Sequence, residues 1–342
     1  MSSFKTHMAK EIAEIPTMFE RQLQDGLKQY WETGAALRSS NPRGFVTCAR
    51  GTSDHAAAFF KYAFETKTGL PVASIGPSVA SVYNAQLKLD RFASVAFSQS
   101  GGSPDLTKLQ EAAQKGGAET IAILNVVDSP LARASNSVLP IYAGPENAVA
   151  ATKSYVGMLF ASLGILAGFT EDKALQSDLS ELPDLARAAL AVDWSAATVP
   201  VARSGSLFCI GRGPSFAIAA ESALKFKETC RLHAEAYSAA EVLHGPVAIA
   251  GDRFAALLFS SGDMAADSIT AAKEKLEHQG AAVFEVGGIA GPKSLPSPRS
   301  RNPLLNPLLQ AVAFYCFVEN LSLRLGQNPD APEGLKKVTE TV

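Results

Sequence analysis

Gly44-Phe-Val-Thr-Cys-Ala-Arg-Gly-Thr-Ser53 decides the fold, because it recurs in outline as Ser206-Leu-Phe-Cys-Ile-Gly-Arg-Gly-Pro-Ser215. Each stretch is a short apolar run closed by a glycine turn and followed by residues of helical character, which reads as strand, tight turn, helix. Arg50 and Arg212 lie 162 residues apart, and so do Ser53 and Ser215. The same interval carries Arg91-Phe-Ala93 onto Arg253-Phe-Ala255, and Phe97-Ser98 onto Phe259-Ser260. A constant interval across separate strand-turn units implies two copies of one βα domain.

Working outward, apolar runs fall at 45–49, 72–75, 94–97, 120–124 and 138–142 in the first copy, and at 207–210, 255–259 and 282–286 in the second. Short apolar runs parted by helical patterns predict a mainly parallel sheet covered on both faces. The expected class is α/β: two tandem doubly wound parallel-sheet domains, each a three-layer α/β/α sandwich, with an N-terminal helix and a C-terminal tail. Residues 1–38 form the helical segment, with Ile12, Ile15, Met18, Phe19 and Leu23 at helical spacing. Residues 39–168 form the first domain, 169–201 a helical linker, 202–326 the second domain and 327–342 the tail.

The bulk composition narrows the function classes. A chain of 342 residues with 47% apolar and 19% charged residues is globular, with one large or two medium domains. A net charge of −2 provides no global field for nucleic acid or an acidic membrane, so anions must be held by local geometry. The four cysteines (Cys48, Cys209, Cys230, Cys316) form no CxxC pair and read as buried free thiols. Residues 155–169 are too short to span a bilayer, which takes about 20 residues, and read as a buried helix. The charged N-terminus lacks an apolar signal core, so a cytoplasmic location is expected. Five scattered histidines show no metal-ligand spacing, and Gly211-Arg-Gly213 lacks the third glycine of a dinucleotide fingerprint. No metal and no cofactor are expected.

Two strand ends of the first copy are rich in hydroxyls: Thr52-Ser53, and Ser98-Gln99-Ser100-Gly-Gly-Ser103. In open α/β sheets ligands bind at the carboxyl ends of strands, where backbone N–H groups and a helix dipole favour an anion. The plain alternative is that these residues only cap helices and make turns. The second copy keeps Ser260-Ser261-Gly262 but adds Asp263, whose carboxylate would repel phosphate. Further along, Glu221, Lys225 and Glu228 sit at i, i+4 and i+7, on one helical face. Spacing alone favours a solvated ion-pair ladder there.

Ser98-Gln-Ser-Gly resembles the phosphate loop of sugar isomerase (SIS) domains, and the likeness runs over nearly the whole chain. The segments 49–53, 144–153, 221–228, 233–237, 241–246 and 335–342 resemble the isomerase half of glucosamine-6-phosphate synthases and, through Arg50 and the Lys-Val-Thr tail, stand-alone SIS-type glucosamine-6-phosphate deaminases. The resemblance implies a hexose or hexosamine 6-phosphate substrate bound by Thr52, Ser53, Ser98, Gln99, Ser100, Ser103, Val149 and Ala151. Ala151 stands where the synthases carry a sugar-contacting serine. The resemblance also implies that Glu228 is the proton-transfer base, that Lys225 is a catalytic residue close to the substrate, that His244 opens the sugar ring, and that Lys337 forms an imine with the open-chain carbonyl. Lys336 is the neighbouring candidate for that last role, and His55 is a candidate beside the first turn. Glu235, Lys153 and Glu146 are expected to support the site through ion pairs.

Residue 2 is Ser rather than a nucleophilic cysteine, so no built-in glutaminase is expected. The expectation is therefore a deaminase, converting glucosamine 6-phosphate to fructose 6-phosphate and ammonia. The alternatives are a plain aldose–ketose isomerase, a fructosamine-6-phosphate deglycase, or a sugar-phosphate sensor without catalysis. A homodimer with shared active sites is the expected assembly.

Overall fold

The computed structural model describes residues 6–288 and 291–337. The expectations placed on residues 1–5 and 338–342, including most of the family-like tail, lie outside the described residues. The chain divides into two compact units. One comprises Thr17–Glu146, Lys153–Ser180 and the tail from Lys336; the other comprises the chain up to Pro16, Asn147–Thr152 and Glu181–Leu335.

The first unit is built on five parallel strands: β1 (Gly44–Cys48), β2 (Val72–Ser74), β3 (Phe92–Ser98), β4 (Glu119–Leu124) and β5 (Ser137–Pro140), in the order β2-β1-β3-β4-β5. Successive side chains of a strand point to opposite faces. Phe45 of β1 accordingly meets Phe60 and Phe64 of the Thr52–Thr68 helix and Phe169 of the Lys153–Thr170 helix edge-on, with ring centroids 4.9–5.7 Å apart. Cys48 lies on the opposite face and packs with Ala96, Ala122 and Leu124 against Leu106 and Leu109 of the Pro104–Lys115 helix. Burial on both faces is why these strands read as unbroken apolar runs rather than as alternating ones.

The apolar segment read as a buried helix is the Lys153–Thr170 helix, buried from Lys153 to Phe169. This helix and Pro303–Arg324 are long and apolar enough to cross a membrane, yet 89% and 83% of each is buried inside the protein, as core helices are. The Lys153–Thr170 helix crosses Leu27–Ser40 at backbone contact: a Cβ on Gly34 would lie 2.1 Å from the Ile165 carbonyl oxygen, and one on Gly168 would lie 2.1 Å from that of Trp31. The single N-terminal helix expected from the sequence is broken into His7–Ala13, Ile15–Arg21, a π turn at Gln22–Gly26, and Leu27–Ser40. At the π turn the buried positions are Gln22 and Gly26 while Leu23 is only half-buried, so an apolar periodicity resting on Leu23 does not mark it.

The second unit repeats the plan with β6 (Ser206–Gly211), β7 (Ala234–Ser238), β8 (Phe254–Phe259), β9 (Ala282–Val286) and β10 (Ser294–Leu295), all parallel, in the order β10-β9-β8-β6-β7. Numbered within each unit, both sheets run 2-1-3-4-5. β1 and β6 begin 162 residues apart, as do β3 and β8. The duplication read from sequence is thus a duplication of sheet topology. The Ser215–Cys230 helix packs against β6 and against the Asn306–Arg324 helix, with Phe226 and Phe314 edge-on at 5.2 Å. All four cysteines are free thiols; burial pushes Cys230 and Cys316 up to about 12, and raises Cys48 and Cys209 further.

Candidate functional site

In the first unit the strand order reverses between β1 and β3, because the chain leaves β1 toward β2 on one side and returns to β3 on the other. An open α/β sheet leaves its crevice at such a switch point. Cys48 pairs in register with Ala96, so the segments after β1 and β3 run out side by side. Those segments hold Thr52 and Ser53, and Ser98 to Ser103. The six expected phosphate ligands therefore follow two adjacent strand ends, with Ser98 buried and the other five half-buried.

The loop after β3 is shaped by its own backbone. The Gly101 N–H donates to Ser98 Oγ at 3.0 Å, and the Gly102 N–H to Ser100 Oγ at 3.3 Å. The Gln99 and Gly101 carbonyls accept from Val126 and Leu131 N–H at 3.2 and 3.1 Å, tying the loop to the next strand end. Ser103 occupies the N-cap of the Pro104–Lys115 helix, yet its hydroxyl makes no capping bond. The capping explanation for the serines therefore fails at Ser103. Gly101 sits at φ +62°, and a Cβ there would fall 2.1 Å from Ser129 Oγ. Gly101→Ala is expected to lower stability by about 1–3 kcal/mol, as read by urea unfolding.

The equivalent loops of the second unit are satisfied internally. The Ser215 and Ser261 hydroxyls are buried and bond to each other. Asn306 Nδ2 donates to the Ser261 carbonyl at 2.8 Å, and Gln310 Nε2 to that of Ser260 at 2.7 Å. Ser215, Ser260 and Ser261 are all buried in the second unit, whereas in the first only Ser98 is, and Ser53 and Gln99 at the matching positions are half-buried.

The second unit carries the buried charges. On the Ser215–Cys230 helix, Lys225 Nζ lies 2.6 Å from Glu228 Oε2 and 3.2 Å from Glu221 Oε1. The Lys225 and Glu221 side chains are 0% exposed and Glu228 is 24% exposed, so this is no solvated ladder. Tyr315 Oη donates to Glu221 at 3.0 Å from the Asn306–Arg324 helix. Burial by itself would depress Lys225, but the Glu221 and Glu228 carboxylates outweigh it and hold the ammonium above the ordinary lysine range. Lys225 is thus a fixed cation at neutral pH. One lysine with two carboxylates leaves a net negative charge, and Glu228 is the member that reaches the surface. A partly exposed carboxylate gripped by a lysine is suited to accept and return a proton.

The other expected residues fall as follows. His244 is exposed at the end of the Glu241–His244 turn in the second unit. Val149 and Ala151 lie in the 147–152 segment of that unit. This segment is pinned by the Glu11 carboxylate, which accepts the Asn147 and Ala148 N–H groups, and by a 2.9 Å bond from the Val149 N–H to the Asp330 carbonyl. Asp330 in turn accepts the His7 and Met8 N–H groups at 2.8 Å. In the first unit, Lys337 Nζ lies 3.6 Å from the buried Glu146 carboxylate, which also accepts the Ser154 N–H and hydroxyl at 3.1 and 2.7 Å. Lys336 is exposed. Glu235 enters no ion pair among the described residues and instead accepts the Tyr237 hydroxyl at 3.0 Å. His55 is half-buried in the first turn of its helix.

Tyr315, Asp105, Glu11 and Asp330 are structural partners that the sequence does not reveal. Asp105 follows Pro104 at a helix start, where an acid is ordinary, and its contact with Arg50 spans 55 positions. Among the described residues no group of three or more His, Cys, Asp or Glu is placed to hold a metal ion.

The SIS domain model matches residues 40–164 and 201–290, more than half of the chain. The chain belongs to the SIS domain family. A glutamine–fructose-6-phosphate aminotransferase (isomerizing) from Methanothermobacter thermautotrophicus is 32% identical over 341 residues, 96% of this chain and 56% of the relative. The chain thus spans little more than half the length of that relative. A crystal structure from Silicibacter pomeroyi DSS-3, provisionally named a phosphosugar isomerase, superposes with TM-score 0.91 at 44% identity, covering 95% of this chain and all of the other. A glucosamine-6-phosphate deaminase from Thermotoga maritima superposes with TM-score 0.77 at 20% identity, covering 98% of this chain and all of the other, and shares the fold.

Proposed function

We propose that this chain is a phosphosugar isomerase-type enzyme, and within that class a deaminase of glucosamine 6-phosphate. The observation that carries the proposal is the buried Glu221–Lys225–Glu228 cluster in a chain whose other unit keeps an uncapped, hydroxyl-rich loop at its switch point. A sensor needs only the loop; three ionised groups on one helix, two of them fully buried, are costly to fold and serve no purpose in binding alone.

In this reading Thr52, Ser53, Ser98, Gln99, Ser100 and Ser103 hold the phosphoryl group. Val149 and Ala151 contact the sugar, and His244 transfers the proton that opens the ring. Glu228 removes the C2 proton of the open-chain aldehyde, giving an enolamine, and returns a proton to C1. The C2 imine so formed is hydrolysed by water to the ketone with loss of ammonia, which balances the reaction as fructose 6-phosphate plus ammonia. Lys225 stays protonated beside Glu228 and supplies fixed positive charge where negative charge develops. Lys337, whose Nζ lies 3.6 Å from the Glu146 carboxylate, acts as the amine at that C2 imine: it adds and expels ammonia, and water then hydrolyses the lysine imine to the ketone and the free amine, so the overall balance is unchanged.

Ammonia release from glucosamine 6-phosphate by the purified protein tests the deaminase; no release from any hexosamine 6-phosphate ends it. The 44% identical structure favours a second reading, plain aldose–ketose isomerisation. That reading uses the same proton transfer on a sugar with oxygen at C2, and gives turnover of glucose 6-phosphate without ammonia.

A further inference from the structure

Arg50 and Asp105 form an ion pair inside the proposed phosphate subsite. Arg50 Nε and Nη2 donate to Asp105 Oδ2 at 3.0 and 2.6 Å, and Asp105 Oδ1 accepts the Leu106 N–H at 2.8 Å. The Asp105 side chain is fully buried, whereas that of Arg50 is half exposed. Arg50 directly precedes Gly51-Thr52-Ser53, and Asp105 stands two residues after Ser103. The pair therefore links the two hydroxyl loops at the crevice. A buried carboxylate in the first turn of a helix is an odd neighbour for a phosphoryl group, because it opposes the helix dipole that would attract the anion.

The second unit offers an internal control. Arg212 and Asp267 stand 162 residues after Arg50 and Asp105, and Asp267 is likewise the second residue of its helix. There Asp267 is exposed, and no ion pair joins it to Arg212 among the described residues. Both copies keep the two residue types, but among the described residues the pair forms only in the first, where Asp54 and His55 stand in place of Phe216 and Ala217.

We propose that the Arg50–Asp105 pair is a charge-balancing device: Asp105 disfavours the anion, Arg50 offsets Asp105 and also acts on Asp54 in the first turn of the Thr52–Thr68 helix, and the subsite holds phosphate through hydroxyl and backbone donors rather than through an uncompensated cation. Arg50 is thereby a positioning and specificity residue, and phosphate affinity is tuned below the maximum the loops could give. This inference rests on the phosphosugar reading of the crevice.

The test is calorimetric titration of the full chain with inorganic phosphate and with fructose 6-phosphate at fixed ionic strength. Asp105→Asn is expected to bind both about tenfold more tightly and Arg50→Gln about tenfold more weakly, with the double variant back within about threefold of wild type. A merely structural brace gives the opposite pattern: both single variants weaken binding and the double variant is no better. That result, or weaker binding by Asp105→Asn alone, overturns the proposal. If Arg50→Gln does not fold, the sign of the Asp105→Asn effect decides, supported by Arg50→Lys, which keeps the charge and is expected to bind within about threefold of wild type. A wild-type protein that binds neither probe overturns the phosphosugar reading together with this one. Wild-type binding with the wrong sign in the variants overturns only the charge balance.

Discussion

Glu228→Gln is expected to cut turnover by about 10²–10⁴-fold, the range for removing a positioned general base, with binding of fructose 6-phosphate nearly unchanged. The amide keeps the shape of the carboxylate and can still contact Lys225, 2.6 Å away, but it cannot take up a proton. The loss should therefore fall on kcat rather than on KM, since the removed interaction acts only as the C–H bond breaks. Steady-state kinetics with a parallel titration separate the two. Equal losses in affinity and turnover would mean that Glu228 binds the sugar rather than moving its proton.

Lys225→Met should produce the largest change in stability. The substitution leaves two carboxylates facing each other, one of them fully buried, without the cation that both contact. Breaking a buried ion pair from one side costs about 3–5 kcal/mol, measurable as a lower urea midpoint. Adding Glu221→Gln should recover part of the loss by removing the buried charge, although Tyr315 then donates to an amide oxygen instead of a carboxylate. The pH dependence has a definite sign. The Lys225 pKa is raised by folding, so its contribution is fully present below the unfolded lysine value of about 10.4 and fades as pH rises through the higher folded value. The wild type should lose this part of its stability only in that alkaline range, and Lys225→Met should lack that limb.

The sequence revealed most of the sheet because its central strands are covered on both faces. Each of β1, β3, β4, β6, β8 and β9 is a run of mostly apolar residues ending in a turn, and the observed bounds differ from the sequence reading by no more than two residues. β7 and β10 escaped notice for a physical reason. Both are edge strands: β7 is buried only at Ala234, and β10 is two residues long, so neither needs a continuous apolar run. At the candidate site, local pattern showed the Glu221-Lys225-Glu228 face but not its environment. Whether such a face meets water or a packed helix depends on the Asn306–Arg324 helix, nearly a hundred positions away. The hydroxyl of Tyr315, the Arg50–Asp105 pair and the grip of Glu11 on residues 147–148 are also long-range, and no spacing rule encodes them. The serines of the second copy carry the reverse lesson: Ser215 and Ser261 stand where the first copy has Ser53 and Gln99, but their hydroxyls are buried against each other, while Asn306 and Gln310 hold the backbone carbonyls of Ser261 and Ser260.

The most direct measurement follows glucosamine 6-phosphate, glucose 6-phosphate and fructosamine 6-phosphate by proton NMR, with wild type and Glu228→Gln side by side. Conversion of glucosamine 6-phosphate to fructose 6-phosphate and ammonia by the wild type alone is the predicted result. A wild type that binds fructose 6-phosphate yet converts none of the three sugars, or a Glu228→Gln protein that converts them at the wild-type rate, would contradict the account.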